Sequence, residues 1–380
     1  MANIVLIVRR YIDGAAFTNR LLAYAKGLAN AGNSVKLLFL ITQDRHATCP
    51  LNHPSINVYH LWQDDGKMCR KHKILSYLRN LIRINKYIVS GDSIILFGFE
   101  LPLSLRLSLL KKQINIFFEA TEHPLYKGTS FYNKLRARIR LFFEKRSKGI
   151  FVISKSLKDY YIQNGIANNK ISIINMFVDE SRFIGLNKTN IDNDYIAYCG
   201  TISKHKDGVD DLIKAFSIFN KVHPNYRLYI IGKSETETEY NELIELVERL
   251  KLNNRVVFTG AISSNQMPQI LYDAKILALA RPSNLQTQNG FPTKLGEYLA
   301  TGNPIAVTNI GDISCFIKDR VHGFVSEPDD IDAFANNLIY IASNYCEAIK
   351  IGKKGKELVQ KEFSYIYQTS LVSTYINSFN

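Results

Sequence analysis

The sequence is short of cysteine, of acidic charge and of long apolar runs, and each shortage excludes something. Its five cysteines, Cys49, Cys69, Cys199, Cys315 and Cys346, are scattered and share no metal-ligand spacing. An odd, dispersed set argues against a disulfide framework and for a reducing cytosol. The most apolar region, Ile94 to Leu110, is broken by Glu100, Pro102 and Arg106, so it is not expected to span a bilayer. The opening MANIVLIVRR holds an apolar run too short for a signal peptide and shows no cleavage pattern, which makes the cytoplasm the expected location. No basic recognition helix, zinc finger or RNA-binding signature accompanies the basic residues, so a nucleic-acid partner is not expected.

What remains is an ordinary globular composition, 46% hydrophobic and 22% charged over 380 residues. That length suits two or three domains, each able to bury a core. The 48 Lys and Arg against 34 Asp and Glu leave a net charge of +14. With nucleic acid set aside, an anionic lipid surface or phosphate-bearing substrates are the partners that fit it.

Short apolar runs alternate with amphipathic stretches, the sign of doubly wound α/β sheets. Ile4 to Val8 reads as a buried parallel strand, followed by a small-residue loop, a helix to about Ala31, a stop at Gly32 and a strand from Val35 to Leu40. A helix is expected within Lys67 to Lys86 and another over Leu101 to Lys112; strands are expected at Ser93 to Phe97 and Asn115 to Phe118. The last runs into Glu119-Ala-Thr-Glu-His-Pro124, a polar cluster past a strand's carboxyl end, where such folds place their sites. Leu186 to Asp194 lacks apolar periodicity and is taken as the domain linker. A second alternating series follows from Asp194. Its helix is plain from one stripe, Val209, Leu212, Ile213, Phe216 and Phe219, and the loop before it carries Gly200, Lys204, His205, Lys206 and Gly208. Then comes Gln288 to Val307, QNGFPTKLGEYLATGNPIAV. Gly290 permits a tight turn, Pro292 suits the first helical position, Gly302 suits a left-handed helix end, and Pro304-Ile-Ala-Val begins a strand. A Gly-rich loop feeding a helix N-terminus suits a phosphate.

This last stretch resembles the donor-binding motif of retaining glycosyltransferases of family 4, in which seven residues separate two glutamates. Glu297 matches the second, which in that family holds the nucleotide ribose; Asn289 stands where the first, a contact of the donor sugar, is expected. Phe291-Pro-Thr-Lys294 resembles a subgroup with a lysine at this place. The loop at Gly200 resembles the family's diphosphate loop: Lys206 matches its lysine, Thr201 replaces its arginine, and Lys204 or His205 is then the candidate for the missing cation. Val178-Asp179 with Arg182-Phe183 resembles the end of the family's N-terminal domain, and Ile310 to Ile339 its closing strand and helix. Gly14 is either a turn glycine or the one that lets the first loop approach a ligand. His123 matches a histidine near the transferred sugar, or caps its strand without a catalytic part; Glu122 is the weaker neighbour. Arg281 either faces the phosphates or caps a strand.

The resemblance implies a GT-B fold, two Rossmann-like domains facing across a cleft: an acceptor-binding domain over 1–185, a nucleotide-sugar-binding domain over 186–362, and a helix over 363–380 crossing back to the first. It implies transfer of a sugar from a UDP- or GDP-sugar to a saccharide acceptor, lipid-linked and serving surface polysaccharide synthesis, with retention. The residues implied are His123, Lys206 and Glu297 for catalysis. For the donor they are Gly14, Gly200, Thr201, Lys206, Asn289, Gly290, Phe291, Lys294 and Glu297, and for the acceptor Glu122 and His123. No cofactor and no metal is implied, the nucleotide sugar being a co-substrate, and no acidic metal cluster or glycosidase-style carboxylate pair stands out. Two rivals stand beside this reading: a sugar-nucleotide epimerase of the same fold, and an inactive nucleotide-sugar or glycan binder. Lys134 to Lys148, KLRARIRLFFEKRSK, places Leu135, Ile139, Phe142 and Phe143 on one helical face amid cations. It reads either as a core-packed helix with a basic outer face or as a helix lying on a membrane surface.

Overall fold

The computed structural model describes residues 2–12, 16–42, 49, 51–62, 70–126, 128–189 and 194–379. The chain divides into two compact units, Met1–Asn175 with Tyr365–Asn380, and Met176–Ser364. The division falls at Asn175/Met176 rather than in the polar stretch after Leu186. Residues there are fastened to the second unit: Thr189 N–H donates to Asp273 at 2.9 Å, and Lys188 Nζ to the Ala274 carbonyl at 3.2 Å. Polarity alone did not make a linker.

Among the described residues the first unit is built on seven strands: β1 (Asn3–Tyr11), β2 (Ser34–Thr42), β3 (Ile56–His60), β4 (Ser93–Phe97), β5 (Asn115–Ala120), β6 (Gly149–Val152) and β7 (Ile171–Ile173). They pair in parallel in the order β3-β2-β1-β4-β5-β6-β7. Val5, Ile7, Ile94, Leu96, Phe118, Ile150 and Val152 share one core with Leu81, Leu103, Leu107 and Leu157 from the covering helices. Each such side chain, fully withdrawn from water, contributes about 1.5–3 kcal/mol. The helix Tyr365–Asn377 belongs to this unit and lies on the helix Ala16–Asn30, where Gly27 leaves room for Thr369. Asn33 Nδ2 donates to Ser373 Oγ at 2.9 Å, and Asn175 N–H to Gln368 Oε1 at 3.0 Å.

Among its described residues the second unit holds six parallel strands: β8 (Tyr195–Cys199), β9 (Arg227–Ile231), β10 (Val256–Gly260), β11 (Ile276–Leu279), β12 (Ile305–Thr308) and β13 (Phe324–Ser326), in the order β10-β9-β8-β11-β12-β13. β11 and β12 are buried throughout, which is why they read as unbroken apolar runs. Helix starts are fixed locally. Ser154 and Thr236 accept from Leu157 and Glu239 N–H groups, and Asn284 and Thr287 form a reciprocal cap. In each sheet the chain fills one side of the first strand and then returns to fill the other. The reversals fall between β1 and β4 and between β8 and β11, and ligands of doubly wound sheets bind outside the strand carboxyl ends at such points.

Candidate functional site

Past the carboxyl end of β8 the chain turns at Gly200, whose φ is +150°, and a Cβ there would fall on the Lys294 ammonium. Ser203 then caps the short helix Lys204–Asp207, and Gly208, at φ +63°, is the left-handed residue between it and the helix Val209–Val222. A Cβ on Gly208 would fall on the Ala280 carbonyl just past β11. Glycine at both positions therefore lets the two flanks of the reversal close on each other.

Asp207 ties these flanks together. Its carboxylate is 3% exposed and pairs with Lys294 Nζ through Oδ2 and with Arg281 Nε, 3.4 Å from Oδ1. The Tyr198 hydroxyl lies 2.7 Å from Asp207 Oδ2 and accepts from Lys294 Nζ at 3.1 Å. Arg281 Nε also donates to the Lys206 carbonyl at 3.0 Å. Burial alone would raise the Asp207 pKa; the Lys294 and Arg281 cations outweigh it and hold the carboxyl below its ordinary range. Burial lowers the Lys294 pKa, and Arg281 adds to that against the pull of Asp207. One carboxylate thus holds two cations, and the cluster carries surplus positive charge at the point of strand reversal.

Glu297 lies one turn into the helix Lys294–Thr301 and is partly buried. Arg182 Nη1 donates to its Oε1, and Arg182 Nη2 donates to the Ser264 carbonyl, beyond β10, at 2.9 Å. Next to it, Tyr298 Oη accepts from Cys199 N–H at 2.7 Å, which fixes this helix to the end of β8. The structure thus brings Gly200, Lys206, Lys294 and Glu297 to one edge of one sheet. It adds Tyr198 and Asp207, and with them Arg182, which the sequence singles out without a role, and Arg281, which it reads as facing the phosphates or capping a strand. Asp207 carried a faint signal, a carboxylate directly before the turn glycine of HKDG.

Several placements differ from expectation. Lys204 is turned to the helix Glu237–Arg249, where it pairs with Glu242, and Arg281 stands beside the loop, donating to the Lys206 carbonyl. Phe291 is 5% exposed and packs its ring on Phe316 and Phe363, with centroids 5.7 and 5.8 Å away, so its side chain belongs to a core. Gly290 is buried in extended backbone, φ −103°, with no left-handed turn, and Pro292 precedes the helix instead of opening it, accepting from Leu295 N–H at 3.0 Å. Asn289 Nδ2 donates to the Leu285 carbonyl at 2.9 Å, one turn back in its own short helix. Thr201 is exposed and offers its carbonyl to Tyr198. Gly14 lies outside the described residues.

In the first unit a cavity of about 210 Å³ opens past β4 and β5, lined by Glu100, Glu119, Glu122, Tyr126, Arg136 and Arg140 among others. Glu122 faces it. His123 is 6% exposed and turned elsewhere: Nδ1 accepts from Leu125 N–H at 3.1 Å, and the ring stands edge-on to Tyr160 with centroids 4.3 Å apart. Burial, then Arg140, lowers its pKa to about 4, so the imidazole is neutral at pH 7. Glu119 is held by Arg20 at 2.9 Å, whose other nitrogens cap the carbonyls of Ile174 and Asn175. A larger cavity, about 910 Å³, lies at the opposite edge of the second unit's sheet, around Lys188, Asp194, Lys275 and Asn303, residues that precede or flank strand starts.

Residues 181–358, within the second unit, match the sequence family described as Glycosyl transferases group 1. A capsular polysaccharide biosynthesis glycosyltransferase of Staphylococcus aureus is 27% identical over 230 residues, 57% of this chain and 57% of its own. A UDP-Gal:α-D-GlcNAc-diphosphoundecaprenol α-1,3-galactosyltransferase of Escherichia coli is 29% identical over 131 residues, 34% of this chain and 31% of its own. The chain thus spans 57% and 31% of the length of these two relatives. Among solved structures, sucrose-phosphate synthase of Thermosynechococcus elongatus superposes with a TM-score of 0.77 at 16% identity, covering 100% of this chain and 99% of that one. An Anabaena protein solved with UDP and glucose gives 0.75 at 14% identity over the whole of both chains. The fold is GT-B.

Proposed function

We propose, from the match of residues 181–358 to the glycosyl transferases group 1 family, that this chain transfers a sugar from a nucleotide diphosphate sugar to a saccharide acceptor with retention at the anomeric carbon. The observation that carries the reading is the cationic cluster at the β8/β11 reversal, where Asp207 holds Lys294 and Arg281 beside the Gly200 loop. In this reading the bond from the anomeric carbon to the diphosphate breaks, and the departing diphosphate is met by Lys206, Arg281, Lys294 and the Gly200 backbone. Fixed charges aimed at a leaving group cost no reorganisation as the bond breaks, which is why such stabilisation is the largest catalytic contribution in many enzymes. Glu297, oriented by Arg182, takes the ribose hydroxyls. The reading calls for no metal ion.

The base is uracil or guanine, and the acceptor is a lipid-linked saccharide at the inner face of the cell membrane. This accords with the activity of the Escherichia coli relative, which acts on a diphosphoundecaprenol-linked sugar, and with the basic character of the first unit. The test is release of UDP or GDP from a panel of nucleotide sugars, with and without lipid-linked saccharides extracted from bacterial membranes, in the presence and absence of EDTA. Acceptor-dependent release from one donor, unchanged by EDTA, is the expected result. Interconversion of the donor sugar without acceptor would replace this reading with the epimerase, and donor binding without turnover would replace it with the inactive binder.

A further inference from the structure

The positive charge is not spread over the chain. Residues 1–175 and 365–380 hold 27 Lys and Arg against 10 Asp and Glu, a net of +17, whereas residues 176–364 hold 21 against 24, a net of −3. Within the first unit the charge gathers on three helices, Arg70–Arg83, Leu101–Ser108 and Phe131–Arg146. By sequence they carry 12 Lys and Arg and one acid, Glu144, which is buried and paired with Arg140 at 2.7 Å. The three are neighbours that cover the same core: Leu81, Leu103 and Leu107 lie in it, and Ile139, Leu141 and Phe143 pack against it. Arg106 Nε donates to the Leu81 carbonyl at 3.2 Å, tying the first two helices together.

Their outward faces are the opposite of what a solvated surface needs. Ile74, Leu75, Leu78 and Ile82 on the first helix are 47–67% exposed, and Leu105 on the second is 48% exposed. On the third, Phe131 is 82%, Tyr132 73%, Leu135 44% and Phe142 50% exposed. Phe131, Leu135 and Phe142 stand on one stripe, with Lys134, Arg138 and Lys145 along one flank and Arg146 over the Phe142 ring, 3.6 Å from its centroid. Of the 22 large apolar side chains exposed among the described residues, 9 lie on these three helices. Single exposed leucines need no explanation, but a cluster that shares its surface with cations and no exposed acid does.

We propose that this three-helix face docks on an anionic lipid bilayer, with Ile74, Ile82, Phe131, Leu135 and Phe142 entering the headgroup–acyl boundary and the surrounding Lys and Arg over the lipid phosphates. Charge complementarity names the occupant: cations draw the protein to phosphates, and aliphatic and aromatic side chains gain only where there is hydrocarbon to enter. A nucleic acid would use the cations and stack on Phe131 or Tyr132, but it leaves Ile74, Leu75, Leu78 and Ile82 in water. The helix Phe131–Arg146 is thereby both core-packed, through Ala137, Phe143 and Glu144, and surface-active on its other side. The inference takes its purpose from the lipid-linked acceptor proposed above, but its evidence is separate.

The test is flotation of the full chain with vesicles of phosphatidylglycerol and phosphatidylcholine, and of phosphatidylcholine alone, with neither donor nor acceptor present. Wild type is expected to float with the anionic vesicles and to bind neutral ones at least about tenfold more weakly. A triple variant, Ile82→Ser, Phe131→Ser, Phe142→Ser, alters only exposed positions, keeps the charge and is expected to lose at least about tenfold in binding to anionic vesicles. A charge variant, Arg79→Glu, Arg138→Glu, Lys145→Glu, is expected to lose about a hundredfold. Wild type that stays with the pellet would overturn the proposal, as would a serine variant that binds like wild type. Self-association of wild type that the serine variant abolishes, without vesicle binding, would assign the face to a second copy instead. Nucleotide-sugar binding is read separately, so loss of one reading leaves the other standing.

Discussion

A carboxylate buried between two cations is costly to remove. Asp207→Asn leaves Lys294 and Arg281 facing each other without their shared counter-charge, and this is expected to lower unfolding stability by about 3–5 kcal/mol. Lys206→Ala acts differently. The Arg281 contact is to its backbone carbonyl, so the substitution should change stability by no more than about 1 kcal/mol while weakening donor binding. Chemical denaturation of the two variants side by side separates holding the site from serving it. His123 gives a pH signature. Its pKa falls from 6.5 to about 4 in the fold, because burial and then Arg140 disfavour the imidazolium. Between those values the unfolded chain binds the extra proton, so this contribution is complete above about pH 6.5 and is lost as the pH falls toward 4, up to about 3 kcal/mol in all. Melting temperatures of wild type and His123→Asn should converge across that interval; parallel curves would remove His123 as the cause.

At the scale of the element, the turn between the helices Lys204–Asp207 and Val209–Val222 is a tight constraint at the site. Gly208→Ala combines a left-handed φ with a Cβ on the Ala280 carbonyl, and it is expected to cost about 2–4 kcal/mol and to loosen the donor loop even where the chain folds. Limited proteolysis with and without nucleotide reads both effects. Phe291→Ala should cost about 3–5 kcal/mol through the emptied aromatic cluster, with donor affinity kept in the folded fraction. The helix Val209–Val222 was legible because five apolar residues form one stripe, and β12 because burial on both faces makes a continuous apolar run. The helix Tyr345–Leu358 was not. Gly352 and Gly355 interrupt its pattern, and the reason is tertiary: each lies against backbone, of Gly302 and Asn303 or of His322, where no side chain fits. The edge strand β3 was missed because only Ile56 of its five residues is buried. The helix Glu237–Arg249 was missed because three buried apolar residues stand among six charges. Lys294 and Glu297 could be named from the motif, but Asp207 could not. A carboxylate's partner, when that partner lies 87 residues away, is written in the topology and in no local spacing.

At the scale of the molecule, the two units differ in what they can attract. One carries the whole net positive charge and the exposed apolar helices, and the other carries the cationic cluster at its strand reversal within an otherwise mildly acidic body. The division at Asn175/Met176 and the membership of the helix Tyr365–Asn377 in the first unit are long-range facts, set by contacts such as Gly27 with Thr369 and Asn175 with Gln368. Composition could suggest two domains but not where the chain passes between them. The central claim is that the β8/β11 edge binds a nucleotide diphosphate sugar. Its most direct test is calorimetric titration of UDP, GDP and their common sugar conjugates into wild type, Lys206→Ala and Glu297→Ala. The account predicts tight binding of one nucleotide sugar, weakened at least about tenfold by each substitution. Equal affinity in all three proteins would place the ligand elsewhere, and no binding of any nucleotide would contradict the claim.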